Sequence, residues 1–307
     1  MARRTHLLDG NAPTYLIISR TFDRAARRVR ASLINGPEET DLSEQHLTLE
    51  TRGGIATLAL NRPEALNALS PAMTDALIDA TQECERNPEI RCVVLRGAGR
   101  AFMAGGDVKG LHASLSADAE AHVRRMEMRV IRAHQLISQL RRMPKPVIAA
   151  VHGAVAGFGV GLSMAADVVV AREDAFFLVA YRHIGLTADA GVTHFLPRIV
   201  GERKALEMSL FGERCPAEEA LRLGMVNWVV PTAGFDAFVR DKAAALAAGP
   251  SVALGHVKAL IRGSLDRSWD EQSHREAEGI AAASRSHDHL EGVTAFVEKR
   301  AAVFVGR

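Results

Sequence analysis

The chain has 307 residues, 48% of them hydrophobic, with 38 Lys+Arg against 36 Asp+Glu and a formal net charge of +2. That length fits one large domain or a core with an appendage, and a mean hydropathy near zero predicts a soluble globular protein. No apolar run reaches the roughly 18–20 residues of a membrane span, and basic residues interleave with acidic ones, so neither a membrane nor a nucleic-acid partner is expected.

Residues 1–44 read as an N-terminal extension, poorly ordered or the product of a start codon assigned too far upstream. Arg3, Arg4, Arg20, Arg24, Arg27, Arg28 and Arg30 stand there with few acids, the composition of an organelle transit peptide, which is the alternative. Arginine far outnumbers lysine throughout and alanine is abundant, which suggests a bacterial coding sequence rich in G and C. The expected location is therefore the bacterial cytoplasm, or the mitochondrion if the extension is a transit peptide. Cys84, Cys92 and Cys215 are odd in number and lack metal-ligand spacing, so buried thiols in a reducing compartment are expected.

Residues 45–248 read as the core domain. Residues 46–50 and 55–60 flank Arg52-Gly53-Gly54 as a hairpin, and Asn61-Arg62-Pro63 breaks the second strand. Ser70-Pro71 has the chemistry of a helix start, serine at the N-cap and proline at the first helical position. That helix turns Met73, Leu77, Ile78 and Ala80 inward and ends near Asn87-Pro88, before a strand over residues 91–96. Helical periodicity runs over residues 119–140 through Val123, Met126, Val130, Ile131, His134 and Ile137, until Pro144 and Pro146. Strands follow at residues 147–151 and 167–171, with a small-residue helix between them. Alternating strand, loop and helix predicts an α/β fold with helices packed on parallel sheet. From about Ala233 helices dominate, and residues 249–307 read as amphipathic helices with too little core of their own. They are expected to dock on a second copy of the chain, giving a homo-oligomer.

Two glycine-rich loops carry the functional signal. Ala104-Gly105-Gly106-Asp107-Val108 follows one apolar strand, and Gly157-Phe158-Gly159-Val160-Gly161 follows another. Glycine lets backbone approach a ligand closely, and two converging N–H groups can stabilise an enolate or tetrahedral oxyanion.

In order, the segments resemble the enoyl-CoA hydratase/isomerase family, the crotonase superfamily, over residues 47–307. The resemblance rests on Asn61-Arg62-Pro63-Glu64-Ala65-Leu66-Asn67-Ala68-Leu69, Gly99 through Lys109, Val151-His152-Gly153 with the second loop, Thr187-Ala188-Asp189-Ala190-Gly191, and the ending Ala295 through Arg300. It implies a spiral of ββα repeats with a C-terminal helical trimerisation region, assembled as homotrimers or dimers of trimers. It also implies an acyl-coenzyme A thioester as substrate, with no separate cofactor and no metal. Ala65, Leu66 and Ala68 then line the coenzyme A entrance, with Ala104, Gly105, Asp107 and Val108 bordering the ligand. Lys299 either reaches a coenzyme A phosphate on a neighbouring subunit or is a solvated helix charge. The oxyanion hole maps to the N–H groups of Gly106 and Phe158.

Hydratases of this family carry two glutamates, whose positions fall at Gly161 and Tyr181 here. A phenol with an ordinary pKa of about 10 is a poor base near neutrality, so hydration by two carboxylates is not expected. Asp189 matches the aspartate of isomerase-type relatives, and one carboxylate can take a proton from one carbon and return it to another. Its other role would be a helix N-cap. Tyr181, Arg182, His183 and His194 flank this segment, Glu127 stands on the long helix, and Phe177 is a candidate pocket residue. The favoured function is an enoyl-CoA isomerase working through Asp189. The alternatives are hydratase, dehalogenase or C–C-cleaving chemistry through another residue, and a non-catalytic acyl-CoA binder.

Overall fold

The computed structural model describes residues 46–115 and 118–307, so the expectations for the N-terminal extension lie outside the described residues. Strands β1 (Leu47–Arg52) and β2 (Ile55–Leu60) form the expected hairpin, in register from Leu47 opposite Leu60 to Arg52 opposite Ile55. Gly53 and Gly54 supply its turn at φ 57° and 78°, values that favour glycine. Helix α1 (Pro71–Arg86) starts where Ser70 accepts a hydrogen bond from the Met73 N–H at 3.1 Å.

Strand β3 (Cys92–Gly97) pairs in parallel with β2 and with β4 (Val147–Val151); β6 (Val168–Arg172) and β9 (Trp228–Val230) extend the sheet to the order β1-β2-β3-β4-β6-β9. The short strands β5 (Ala154–Ala156), β7 (Phe176–Leu178) and β8 (Cys215–Pro216) form a second sheet. The units that begin with β4 and β6 thus give their first strand to the larger sheet and their second, β5 and β7, to the smaller. Between β3 and β4 lie α2 (Val108–Ala113) and the long α3 (Ala119–Arg142). Helix α4 (Phe158–Ala165) follows β5, and α5 (Val192–Val200) and α6 (Glu202–Phe211) follow β7. Helix α7 (Ala217–Arg222) leads to β9 and α8 (Phe235–Ala247).

Strand periodicity divides the interior in two. Val93 and Leu95 face the main core with Met73, Leu77 and Leu136; Cys92 and Val94 face a smaller core against Val239 and Ala243 of α8. All three cysteines are buried and unpaired, and burial pushes the Cys84 thiol to about 11 and the Cys92 thiol to about 12.

The chain ends in α9 (Ser251–Gly263), α10 (Trp269–Ala283) and α11 (His287–Glu298), which bury few residues. Helix α11 stops at a left-handed Lys299, so the residues from Arg300 onward lie outside the helices that the sequence pattern predicts for this region. Trp269, Ile280, Phe296 and Val297 stand exposed.

Candidate active site

The motif from Asn61 to Leu69 is a turn, Pro63–Ala65 in 3-10 geometry followed by Leu66 and Asn67 at φ 51° and 57°. The buried Asn67 side chain holds it. Its Oδ1 accepts the Arg62 N–H at 2.9 Å, and its Nδ2 donates to the carbonyls of Ala98 and Ala101 at 2.9 and 2.8 Å. The Ala104 N–H then donates to the Leu66 carbonyl at 2.9 Å, which seats the first glycine loop on the turn.

Leu69 and Gly106 form an isolated parallel bridge: the Leu69 N–H donates to Gly105 at 2.8 Å and the Asp107 N–H to Leu69 at 3.2 Å. Such a bridge uses the groups on either side of Gly106, so the N–H of Gly106 faces the other way. Asp107 fixes the loop from the far side. It accepts the Gly110 N–H at 2.9 Å, capping α2, and the Arg62 guanidinium at 3.2 Å. Those two contacts, the cap first, hold its carboxyl below the usual range.

The second loop meets the first directly. Met103 bridges Val155, and a Cβ on Gly157 would lie 3.3 Å from the Gly105 Cα. Gly157 takes φ 50°, ψ −118° to turn the chain into α4, whose first residue is Phe158. The first N–H groups of a helix have no partner within it and carry its positive dipole end. Among the described residues, neither Gly106 nor Phe158 gives its N–H to the backbone. Both line one cavity of about 450 Å³.

Asp189 lines the same cavity, as do Ala104, Gly105, Asp107, Val108 and Tyr181. The Tyr181 hydroxyl donates to the Asp189 carboxylate. Burial raises the Asp189 carboxyl above its ordinary range, with the Tyr181 hydrogen bond acting against it. Burial, and then the neighbouring carboxylate, push the Tyr181 phenol upward as well, so it stays a donor. The helix-cap role for Asp189 is not realised. Helix α5 has Gly191 at its N-cap, and Asp189 meets its first turn only through the carbonyl, which accepts the Val192 N–H at 2.9 Å.

Ala190 and Gly191 are both left-handed, at φ 53° and 75°, and the Ala190 N–H donates to His134 Nε2 at 3.1 Å. That bond requires an unprotonated Nε2. His134 is the residue that sequence reasoning missed as part of the site; its place on one face of α3 was visible, its reach to another loop was not. The turn also rests on Gly161, where a Cβ would lie 2.3 Å from the Ala190 Cβ. The position of the first hydratase glutamate is therefore closed to any side chain.

Other expected residues fall elsewhere. Ala65, Leu66 and Ala68 build the turn beneath the first loop and do not line the cavity. Lys299 is exposed at the end of α11, away from the cavity of its own chain. Phe177 is wholly core, and His194 lines a different cavity, which corrects their assignment to the pocket. His183 lines the cavity, whereas Arg182 and Glu127 do not.

Two backbone N–H groups without a backbone partner and one partly buried carboxylate thus line a single cavity of an α/β fold. A family model described as enoyl-CoA hydratase/isomerase matches residues 50–307, and the chain belongs to that family. It is 39% identical to a probable enoyl-CoA hydratase of Rhodobacter capsulatus, over 87% of this chain and 100% of the relative. It is 36% identical to the 1,2-epoxyphenylacetyl-CoA isomerase of Escherichia coli, over 83% of this chain and 96% of the relative. The crystal structure of a putative enoyl-CoA hydratase/isomerase from Mycobacterium abscessus superposes with a TM-score of 0.80 at 33% identity, covering 85% of this chain and 100% of that one. Relatives thus carry both hydratase and isomerase names.

Proposed function

We propose that the protein is an enoyl-CoA isomerase that shifts a double bond through a thioester enolate. The observation that carries this is the Asp189 carboxylate in the cavity shared by the free N–H groups of Gly106 and Phe158. Asp189 takes a proton from the carbon α to the thioester, between the carbonyl and the 3,4 double bond. The C–H electron pair becomes a new C=C bond, and the negative charge passes to the thioester oxygen held by the two N–H groups. Asp189 then returns the proton to the other terminus of the dienolate and ends ionised. Burial makes the carboxylate a stronger base, and the Tyr181 hydroxyl fixes one of its oxygens. No second carboxylate is available at Gly161 to position water.

Coenzyme A would enter past Ala104 and Asp107, above the turn containing Ala65, Leu66 and Ala68. Lys299 of a neighbouring copy is placed at its phosphates in this reading. The exposed apolar residues of α10 and α11 support homotrimers or dimers of trimers.

Purified protein assayed against 3-enoyl-CoA and crotonyl-CoA tests the assignment. Isomerisation of the first is expected, with Asp189→Asn lowering kcat by about 10²–10⁴-fold. Unchanged turnover in that variant removes Asp189 from the mechanism. Robust hydration of crotonyl-CoA replaces isomerase with hydratase, and coenzyme A binding without any turnover leaves a binding protein.

A further inference from the structure

A second cavity, of about 500 Å³, shares no lining residue with the first. The two sit at opposite ends of α4: Phe158 opens the helix on the active site, and Met164 in its last turn lines the second cavity. Phe195, Ile199, Val257, Ile261 and Leu265 complete an apolar wall. The charged lining is unequal, with Arg141, Arg198, Lys258 and Arg262 facing only two carboxylates, Asp167 and Asp266.

Three of these cations are committed to the fold. Lys258 donates to Asp167 at 2.8 Å and to the carbonyls of Leu140 and Lys145 at 2.9 and 3.0 Å. Arg262 donates to Asp167 at 2.6 Å and to the Ala165 carbonyl at 2.8 Å. Arg198 donates to the His194 carbonyl at 2.9 Å and reaches Asp266 at 3.4 Å, with part of its guanidinium left over. Arg141 is different. Among the described residues it forms no hydrogen bond or ion pair, and its guanidinium lies over the Phe195 ring at 4.3 Å. Burial and then the nearby Arg262 push it down to about 10, with Asp167 and Asp266 acting in the other direction at a distance and neither bonded to it. A guanidinium offers five donors in a planar fork that matches carboxylate and phosphate oxygens.

We propose that this cavity binds an amphiphilic anion, a carboxylate or phosphate monoester whose head group pairs with Arg141 and Arg198 and whose aliphatic tail lies against Phe195, Val257 and Ile261. The excess positive charge selects an anion, and the apolar wall selects one with a hydrocarbon body. Nothing in this site depends on the reaction proposed for the first cavity.

Isothermal titration of the full-length protein with octanoate, octyl phosphate and 1-octanol provides the test. One or both anions should bind, at least tenfold more tightly than the alcohol, and the tighter one identifies the head group. Arg141→Gln should weaken that binding by about tenfold or more, as loss of a charge-assisted hydrogen bond does. Arg141→Lys, which keeps the charge, should retain part of the affinity and serves in its place if the glutamine variant does not fold. Equal anion binding by wild type and Arg141→Gln overturns the site, as does equal affinity for 1-octanol. So does a change of oligomeric state in Arg141→Gln without anion binding by the wild type, which makes the cavity an interface between copies.

Discussion

The first glycine loop is held chiefly by side-chain ties, whereas the second, beyond its backbone bonds to Met103 and Leu178, is held by close contact. Around Gly106, an isolated bridge to Leu69, the Asp107 cap and the Arg62 guanidinium fix the backbone, and a Cβ on Gly106 would meet nothing within 4 Å. Around α4 the glycines admit no side chain: a Cβ on Gly159 would lie 2.7 Å from the Met103 carbonyl oxygen, and one on Gly161 would strike Ala190. A loop fixed by hydrogen bonds keeps its N–H direction while leaving room for a ligand. A loop fixed by packing dictates what can stand beside it, and here it admits the Asp189 turn where a hydratase glutamate would otherwise be.

Replacing Gly161 breaks that packing most severely. Gly161→Glu should destabilise the protein by about 1–3 kcal/mol or more, because the Ala190 methyl and carbonyl at 2.3 and 2.5 Å must be displaced. Displacing Ala190 also moves Asp189 and breaks the bond to His134. Loss of isomerase activity without any gain of crotonyl-CoA hydration is expected, with urea unfolding reporting the stability. Wild-type stability in this variant would mean that the turn yields readily, and that contact does not hold the second loop.

Asp189 gives the next effect, and its sign can be worked out. As a base it acts when ionised, and burial raises its pKa, so kcat should fall with acid earlier than for an ordinary carboxylate near 3.9. A carboxyl with a higher pKa folded than unfolded binds more protons in the folded state between those two values. Stability therefore falls as pH rises through that window, and the deficit remains above it. Asp189→Asn cannot ionise, so it should melt above wild type at neutral pH while losing turnover, and the gap should close on acidification. A gap that does not change with pH would detach it from this carboxyl.

Local chemistry made much of this legible in the sequence. Ser70-Pro71 can start a helix almost anywhere, Gly53-Gly54 can turn a hairpin, and a glycine run after an apolar strand announces a close backbone approach. The family's motifs pointed to Gly106, Phe158 and Asp189, which line one cavity. What stayed hidden required two distant segments to meet. An aspartate before Ala-Gly-Val-Thr serves equally as helix cap or free carboxylate; Gly191 at the N-cap and the Tyr181 hydroxyl decide it. His134 shares the periodicity of α3, which reports a face and not what that face touches. Val123 and Ile131, which carry the same periodicity, are exposed at 58% and 47%.

The first loop should respond in the opposite way to the second. Arg62→Met removes a mostly buried guanidinium that ties Asp107 to the Ala68 carbonyl, and a cost of about 1–3 kcal/mol is expected from the lost charge-assisted bonds. Gly106→Ala should do least of all. Its φ is not left-handed, its added methyl meets open space, and its N–H survives the change. Reduced freedom of the unfolded chain should offset any small strain, leaving stability within about 1 kcal/mol of wild type. The methyl projects where the acyl thioester is proposed to sit, so KM should rise more than kcat falls. A melting temperature as low as that of Gly161→Glu would show that contact, and not the polar ties, holds the first loop as well.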